Sequence, residues 1–570
     1  MKNGAEYIIE FLEKKGVKVV FGYPGGQALN FYEYLGRSNL NHVLVRHEQG
    51  AAHAACGYAR VTGQPGICIA TSGPGATNLV TGIADAYLDS IPMIAFTGQV
   101  NLRDLGKDSF QEADITGIVT PITKHSYLIQ ELEQLPAVLD EAWQLATTGR
   151  PGPVLIDVPK NLFLEQADLT TSHGQLLTRK VTREDNTSEI MPQIIEKLTQ
   201  AERPLILVGG GLTTAGAWDA LADLVQRTNI PVVSTLMGKG AYPETLPLSL
   251  GIVGMHGKAV ANLAMSHCDV LLCLGTRLSD RITGNRRKFL ENACIIHVDV
   301  DAAELQKNVA VDFAVHRDLN AFFECLLKYR ELDQSREHSQ WLERIEQWRL
   351  QYPLPQVFEG EVLKPQAVIL EVARQAGPEA VVVTDVGQHQ MFVAQNYPIN
   401  KRRGFLTSGG LGTMGFGLPA AMGAAFGLPG QDIMLFVGDG GFQMTLQELG
   451  TIRQNQLPIK IFIINNHNLG MIRQWQGLFF NQHYVASNLP DYPDYLKLAD
   501  AYGFPAIRIE HPEELAAKIK EALETPGTVL VDCQVDPNEY VFPMVPPGGK
   551  PQEMLGRWQG ETHIRRIGGK

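Results

Sequence analysis

Residues 433–466, IMLFVGDGGFQMTLQELGTIRQNQLPIKIFIINN, decide the fold. Two strongly apolar runs, IMLFV and IKIFII, flank a segment with helical spacing, the pattern of a β-α-β crossover in a parallel sheet covered on both faces. In such a sheet both strands end at the same edge, where ligands bind. Asp439 and Asn466 stand just past these two strand ends, 27 positions apart. Gly438, Gly440 and Gly441 offer backbone N–H groups to phosphate oxygens. Asp439 and the Asn466 amide offer hard oxygens to a small divalent cation of the Mg²⁺ type, which shares its shell with phosphates. A tight turn and a polar strand end would account for the glycines alone, but not for GDG followed at this distance by NN.

The same rhythm runs along the chain. VKVVFGY, ICIAT, PMIAFTG and VLIDV mark the first third, PLILVGG, PVVST, VLLCLG and IIHVDVD the middle, and VVVTDVG and TVLVDCQV complete the last. The pattern predicts three α/β units, each a doubly wound parallel sheet: 1–165, 190–335 and 365–545, followed by a mobile tail over 546–570. Breaks are expected in the polar stretch around 166–190 and in the charged, proline-bearing stretch 330–365. The first and last thirds share a rhythm suggesting related units.

With 570 residues the chain is too long for one core. Hydrophobic residues make up 44% and charged residues 19%, an ordinary globular balance, and the net charge of −12 without a basic block argues against nucleic acid or an anionic membrane as partner. No apolar run reaches the ~20 residues of a spanning helix. The charged, amphipathic N-terminus lacks the apolar core of a secretory signal, so a cytoplasmic protein is expected. Seven cysteines without a CxxC pair are expected to be reduced thiols, and no Cys/His cluster has zinc-ligand spacing.

Three further stretches carry chemistry. In RHEQGAAHAACGYARVTG (46–63), Glu48 follows a strand and opens an Ala/Gly-rich helix that can pack closely. A carboxylate there can be partly buried and can hold or deliver a proton, or it can simply favour the helix dipole. In TSGPGATN (71–78), Gly73, Pro74 and Gly75 make a tight turn, and Thr77 and Asn78 are expected to cap the next helix. SGGLGTMGFGLPAAMGAAFG (408–427) is almost free of charge and can hold backbone against a ligand. In the middle third, VGGGL at 208–212 is not a GxGxxG fingerprint, and Asp299, ending a strand, suits a ribose hydroxyl; residues alone leave that unit nucleotide-compatible or purely structural.

FGYPGGQ, VRHEQGAAHAA, TSGPGATN, GKDSFQEADITG, GRPGPVLIDVPK, GMHG, SGGLGTMGFGLPAA, GDGGFQM, GMIRQWQ and VFPMVPPG together resemble the large catalytic subunit of the acetohydroxyacid synthase (acetolactate synthase) family. The resemblance covers roughly residues 3–548, in order. It implies pyrimidine-binding, central and diphosphate-binding units, with thiamine diphosphate, Mg²⁺ and a structural FAD as cofactors. Glu48 would protonate the aminopyrimidine ring, and the metal would rest on Asp439, Asn466 and the Asn468 carbonyl. Gly387, Gln388, His389, Gly438, Gly440, Gly441, Gly470 and Met471 would surround the diphosphate, with Tyr23, Pro74, Asn78 and Met414 around the two rings. FAD would be held by Arg150, Gly209, Gly210, Met255, His256, Arg277, Asp299 and Asp318. Gly26, Phe110, Gln111 and Lys160 would line the substrate side.

The implied reaction decarboxylates pyruvate and joins the hydroxyethyl unit to a second 2-keto acid, giving 2-acetolactate from pyruvate or 2-aceto-2-hydroxybutyrate from 2-ketobutyrate. This is the first common step of branched-chain amino-acid biosynthesis. Arg281 would grip the acceptor carboxylate and Trp475 would favour the larger acceptor. The resemblance further implies a homodimer or homotetramer with its active site between subunits, and a small regulatory subunit. The alternatives are another thiamine diphosphate-dependent decarboxylase or carboligase, and a non-catalytic FAD-binding homologue. The chain departs from the family pattern at Leu278 and Ser279 in RLSDR, at Gly441, and at Cys56, where the family carries an acid.

Overall fold

The computed structural model describes residues 1–169, 187–286, 289–334, 337–356, 358, 360–490, 493–558 and 563–567. Three six-stranded sheets, each parallel throughout, follow one another along the chain. The first contains Val19–Gly22, Asn41–Leu44, Gly66–Ala70, Met93–Gln99, His125–Leu128 and Pro153–Pro159; the third contains Val381–Thr384, Phe405–Leu406, Ile433–Gly438, Ile459–Asn465, Ala506–Ile509 and Val529–Gln534. With strands counted in chain order within each sheet, both are arranged 2-1-3-4-6-5. The central sheet, from Pro204–Val208 to Phe313–His316, is arranged 3-2-1-4-5-6. That is the order of dinucleotide-binding folds, with its switch point between Pro204–Val208 and Val270–Leu274. The central strands of each sheet are buried on both faces, which is why their sequences read as unbroken apolar runs.

The first and third sheets meet through two equivalent helices. In each unit the helix following the second strand, Glu48–Thr62 or Gly417–Gly427, lies against the other, in one continuous core. Glycine permits this approach. A Cβ on Gly57 would lie 2.1 Å from the Ala420 carbonyl oxygen, and one on Gly423 1.9 Å from that of Ala54.

Two expectations need correction. The stretch 330–365, expected as a break, contains the helix Ser339–Gln351, and its Trp341 and Trp348 are buried against the central unit. The Trp341 indole donates to the Pro204 carbonyl at 3.1 Å. The C-terminal stretch, expected as a mobile tail over 546–570, is packed where it is described: Met554, Trp558 and Ile567 are buried in that same cluster, and Leu555 exchanges backbone hydrogen bonds with Met544. Three apolar side chains without a common period fill a hole beside the tryptophan pair, so periodicity could not reveal them. Most of the polar stretch read as the first break, residues 170–186, lies outside the described residues. The seven cysteines are free thiols, five of them buried. Among the described residues no helix is long and apolar enough to cross a membrane.

Candidate functional site

The predicted chemistry-bearing loops stand at the carboxyl ends of strands, except that Arg150 precedes the strand Pro153–Pro159. At the first sheet, Glu48 opens its helix after His47, whose ring nitrogen accepts the Gln49 N–H at 3.1 Å. Glu48 is buried, and its Oε2 accepts the Asn78 side-chain amide at 3.0 Å. Its Oε1 faces Gly75, where a Cβ would come within 3.2 Å. Asn78 therefore does not cap a helix as expected: it ends the short helix Pro74–Asn78 and spends its amide on Glu48. Gly73 lies against Gln111, whose backbone oxygen would touch a Cβ there at 2.8 Å. Tyr23, Gly26 and Phe110 are exposed at this edge, Phe110 to 84%. The Lys160 backbone bonds to Gln99 and accepts from Asn30.

At the third sheet, Asp439 is buried at the first turn of Asp439–Thr445, and burial pushes its carboxyl up to about 7. Its Oδ1 accepts the N–H of Gly440 at 3.0 Å. Asn466 Oδ1 accepts the Asn468 N–H, and the Asn466 amide donates to Gln388 at 3.2 Å. Asn468 Oδ1 is buried without a hydrogen-bond partner. An under-neutralised carboxylate beside orphaned or lightly used amide oxygens is a donor set that fits a hard divalent cation. Gly470 leaves no room for a Cβ between Gln388 and Asn466, and Gly438 lies against His389. Burial drives His389 down to about 3, so it is neutral, and its Nε2 has no partner. The Met414 methyl approaches Gly440, lying 3.7 Å from where a Cβ there would stand.

The central unit contributes a cavity of about 1590 Å³, larger than the ~300–1,000 Å³ typical of pockets for a drug-sized ligand. It opens at the switch point. Of the residues assigned to FAD by resemblance, Arg150, Gly210, Met255, His256, Arg277, Asp299 and Asp318 line it, while Gly209 packs behind the wall against Gly275. Burial lowers His256 to about 4 and raises Asp299 to about 6. Arg281, Met471 and Trp475 line the far end, where the Trp475 ring meets Phe479 edge-on at 5.7 Å. Of the departures from the family pattern, Leu278 points into the core and Ser279 lies on the wall. Glu48, Tyr23, Pro74 and Asn78 are not part of this lining.

Three supporting carboxylates were not among the expected site residues, although one, Asp385, closes the VVVTDVG run. Asp385 is buried and accepts the N–H groups of Gly415 and Gly417, shaping the loop around Met414. Glu448 is buried and accepts the Arg46 and His47 N–H groups at 2.9 and 3.1 Å, tying the third unit to the turn before Glu48. Asp157, on the last strand of the first sheet in chain order, accepts from Thr97 at 2.6 Å and Gln99 at 2.9 Å. Asp157 stands inside an apolar strand, Asp385 just past one, and Glu448 in a polar stretch between two short helices; burial of each acid calls for partners that only the folded chain supplies.

This arrangement, a buried carboxylate on one sheet edge and a phosphate-and-cation cradle on another of the same topology, is that of a thiamine pyrophosphate enzyme. The N-terminal thiamine pyrophosphate-binding domain model matches residues 2–118, the central domain model 191–326, and the C-terminal thiamine pyrophosphate-binding domain model 385–533. The chain is 46% identical to a probable acetolactate synthase large subunit of Methanocaldococcus jannaschii, over 99% of this chain and 97% of that protein. It is 42% identical to the acetolactate synthase isozyme 2 large subunit of Escherichia coli, over 97% and 99% of the two chains. It is 45% identical to the acetolactate synthase large subunit of Cyanidium caldarium, over 98% and 97%. The chain belongs to the acetolactate synthase large-subunit family of thiamine pyrophosphate enzymes.

Proposed function

We propose that this chain decarboxylates pyruvate and joins the remaining two-carbon unit to a second 2-keto acid, producing 2-acetolactate or, with 2-ketobutyrate as acceptor, 2-aceto-2-hydroxybutyrate. The observation that carries this reading is the Asn78-held Glu48 at one strand edge together with the Asp439–Asn466–Asn468 cradle at the other. Thiamine diphosphate, when bound, supplies the electron sink for decarboxylation. Two pyruvate anions and one proton give one acetolactate anion and carbon dioxide, so each turnover takes up a proton. Glu48 would hold and return protons, a role supported by Asn78 fixing Oε2 and by Oε1 facing the Gly75 turn.

Asp439, Asn466 and the Asn468 carbonyl would hold Mg²⁺, and the burial of Asp439 with the orphaned Asn468 side-chain oxygen near it supports a cation there. Gly387, Gln388, His389, Gly438, Gly440, Gly441, Gly470 and Met471 would surround the diphosphate, while Tyr23, Pro74 and Met414 would meet the rings. FAD in the central cavity is supported by the 3-2-1-4-5-6 order and by the size of the space. Arg281 would hold the acceptor carboxylate, and Trp475 would select its size. Gly26, Gln111 and Lys160 would border the substrate.

A centre completed by a second copy is supported by the exposure of Tyr23 and Phe110 beside Glu48, and of Met444, Ile472, Phe479 and Phe480 near the cradle and cavity. The words "large subunit" in the relatives' names support a smaller partner subunit.

The test is a product assay with pyruvate, Mg²⁺ and thiamine diphosphate, with and without FAD, then with 2-ketobutyrate added. Acetolactate that requires FAD and gives way to acetohydroxybutyrate is the expected outcome. Acetaldehyde alone would make the protein a decarboxylase. Acetolactate without an FAD requirement would remove the flavin from the proposal.

A further inference from the structure

The large cavity is bounded on one side by the backbone of Ser408–Gly412. Its two adjacent glycines can be anchored only through their N–H groups, and here those two groups, with the Ser408 and Thr413 hydroxyls beside them, are taken up by the first unit. Asp85 and Asp89 stand one turn apart on the helix Val80–Asp89, both fully buried. The two oxygens of Asp89 accept the N–H groups of Gly410 at 2.7 Å and Gly409 at 3.1 Å. Asp85 Oδ1 accepts the Thr413 hydroxyl at 3.1 Å and the Ser408 hydroxyl, and Ser408 Oγ accepts the Thr413 N–H at 2.9 Å. Arg60, also buried, lies 2.7 Å from Asp89 and 3.7 Å from Asp85, over the ring of Phe416. Burial, and then the neighbouring Asp89, push the Asp85 carboxyl up, and Arg60 pulls against them.

Burying three charged groups is costly, and an apolar contact would seal the same seam more cheaply. Ionised acceptors do something an apolar contact cannot: they fix N–H groups in direction as well as distance. We propose that Asp85 and Asp89, held by Arg60, are positioning residues that set where the Ser408–Thr413 loop stands in the cavity wall and, through it, where Met414 stands over Gly440. Arg60 lies on the helix that Glu48 opens, so one cluster locks the element bearing the proton-handling carboxylate to the element bearing Met414.

The inference rests on the proposed reaction for its kinetic readout, and on amide exchange for a readout independent of it. The variants are Asp89→Asn, Asp85→Asn, Ser408→Ala and the double variant Asp85→Asn/Ser408→Ala. In Asp89→Asn, hydrogen exchange in the peptide containing Gly409 and Gly410 should quicken by about 100-fold or more while that in Gly66–Ala70 stays as in the wild type, because the loop opens and the neighbouring core does not. With thiamine diphosphate and Mg²⁺ saturating, kcat should fall about tenfold or more in Asp85→Asn with KM for pyruvate little changed, since ~1 Å of misplacement near reacting atoms can cost 100-fold. The double variant should lose no more than Asp85→Asn alone, because both changes act through one loop. Unchanged exchange at Gly409 and Gly410, or losses in kcat that multiply in the double variant, would overturn the proposal. If Asp89→Asn does not fold, Ser408→Ala still decides by exchange and kinetics. A wild type that forms no acetolactate would remove the proposed reaction and leave the exchange result to decide the loop.

Discussion

Gly423→Ala places a methyl group 1.9 Å from the Ala54 carbonyl oxygen, 2.7 Å from its carbon and 2.9 Å from the Tyr58 nitrogen. All three are backbone atoms of the helix Glu48–Thr62, so no rotamer change relieves the contact. Ordinary carbon–oxygen contact begins near 3.3 Å, so the two helices must part by roughly 1.4 Å at this point. At this point the seam is made of short residues, Gly57 against Ala420 and Gly423 against Ala54, so little side chain is at hand to fill the gap. A gap of 0.5–1 Å already forfeits about a quarter to a half of each contact's dispersion energy. The loss therefore belongs at the upper end of overpacking, about 3 kcal/mol, which corresponds to a fall of roughly 6–12 °C in the first thermal transition of a unit this size. Differential scanning calorimetry reads this. Gly36→Ala is the control: its φ is −64° and a Cβ would meet nothing closer than 3.5 Å, so its transition should hold or rise slightly. Gly423→Ala melting within 2 °C of the wild type would show that these helices do not approach as described.

Glu48→Gln should keep thiamine diphosphate binding by calorimetry and lose most turnover; wild-type activity in the variant would sink the proton-handling role. Asp439→Ala should abolish Mg²⁺-dependent cofactor binding, and an unchanged calorimetric affinity would refute its place in the cradle. Burial raises the Asp157 carboxyl from 3.8 to about 7. A raised folded-state value means that its contribution to stability is complete below 3.8 and is lost as pH rises through 7, with a ceiling of roughly 4 kcal/mol. Asp157→Asn should therefore melt higher than the wild type at pH 8 and show a smaller difference at pH 5; the reverse order would refute the assignment.

The parallel sheets were legible because the core strands are apolar runs, several of them closed by a glycine, acid or amide at the carboxyl end. The cradle was legible because Asp439, Gly440 and Asn466 lie on consecutive βα units, where sequence spacing maps onto spatial proximity. Glu448, Asp85 and Asp89 were not legible. Their partners are some 400 and 320 residues away in the chain, and an acid inside an amphipathic helix looks like a solvated face until the partner helix is in place. Asn78 was misjudged for a related reason: a cap and a carboxylate anchor use the same amide, and only geometry separates them. The packed C-terminus escaped because its three buried side chains answer to a cavity elsewhere, not to one another.

The repeated strand order has a consequence for how one chain differs from two. Units of like topology press equivalent helices together, with Gly57 and Gly423 each meeting the other helix's backbone. The chain thus pairs two units of one strand order face to face while their edges differ: one presents Glu48 and Asn78, the other Asp439 and Asn466. That self-complementary face is consumed inside the monomer, so any second copy must be met by the opposite, solvent-facing edges. A single tandem chain therefore encodes both partners of an unequal couple, and neither half can drift in shape without the other registering it at the shared glycines.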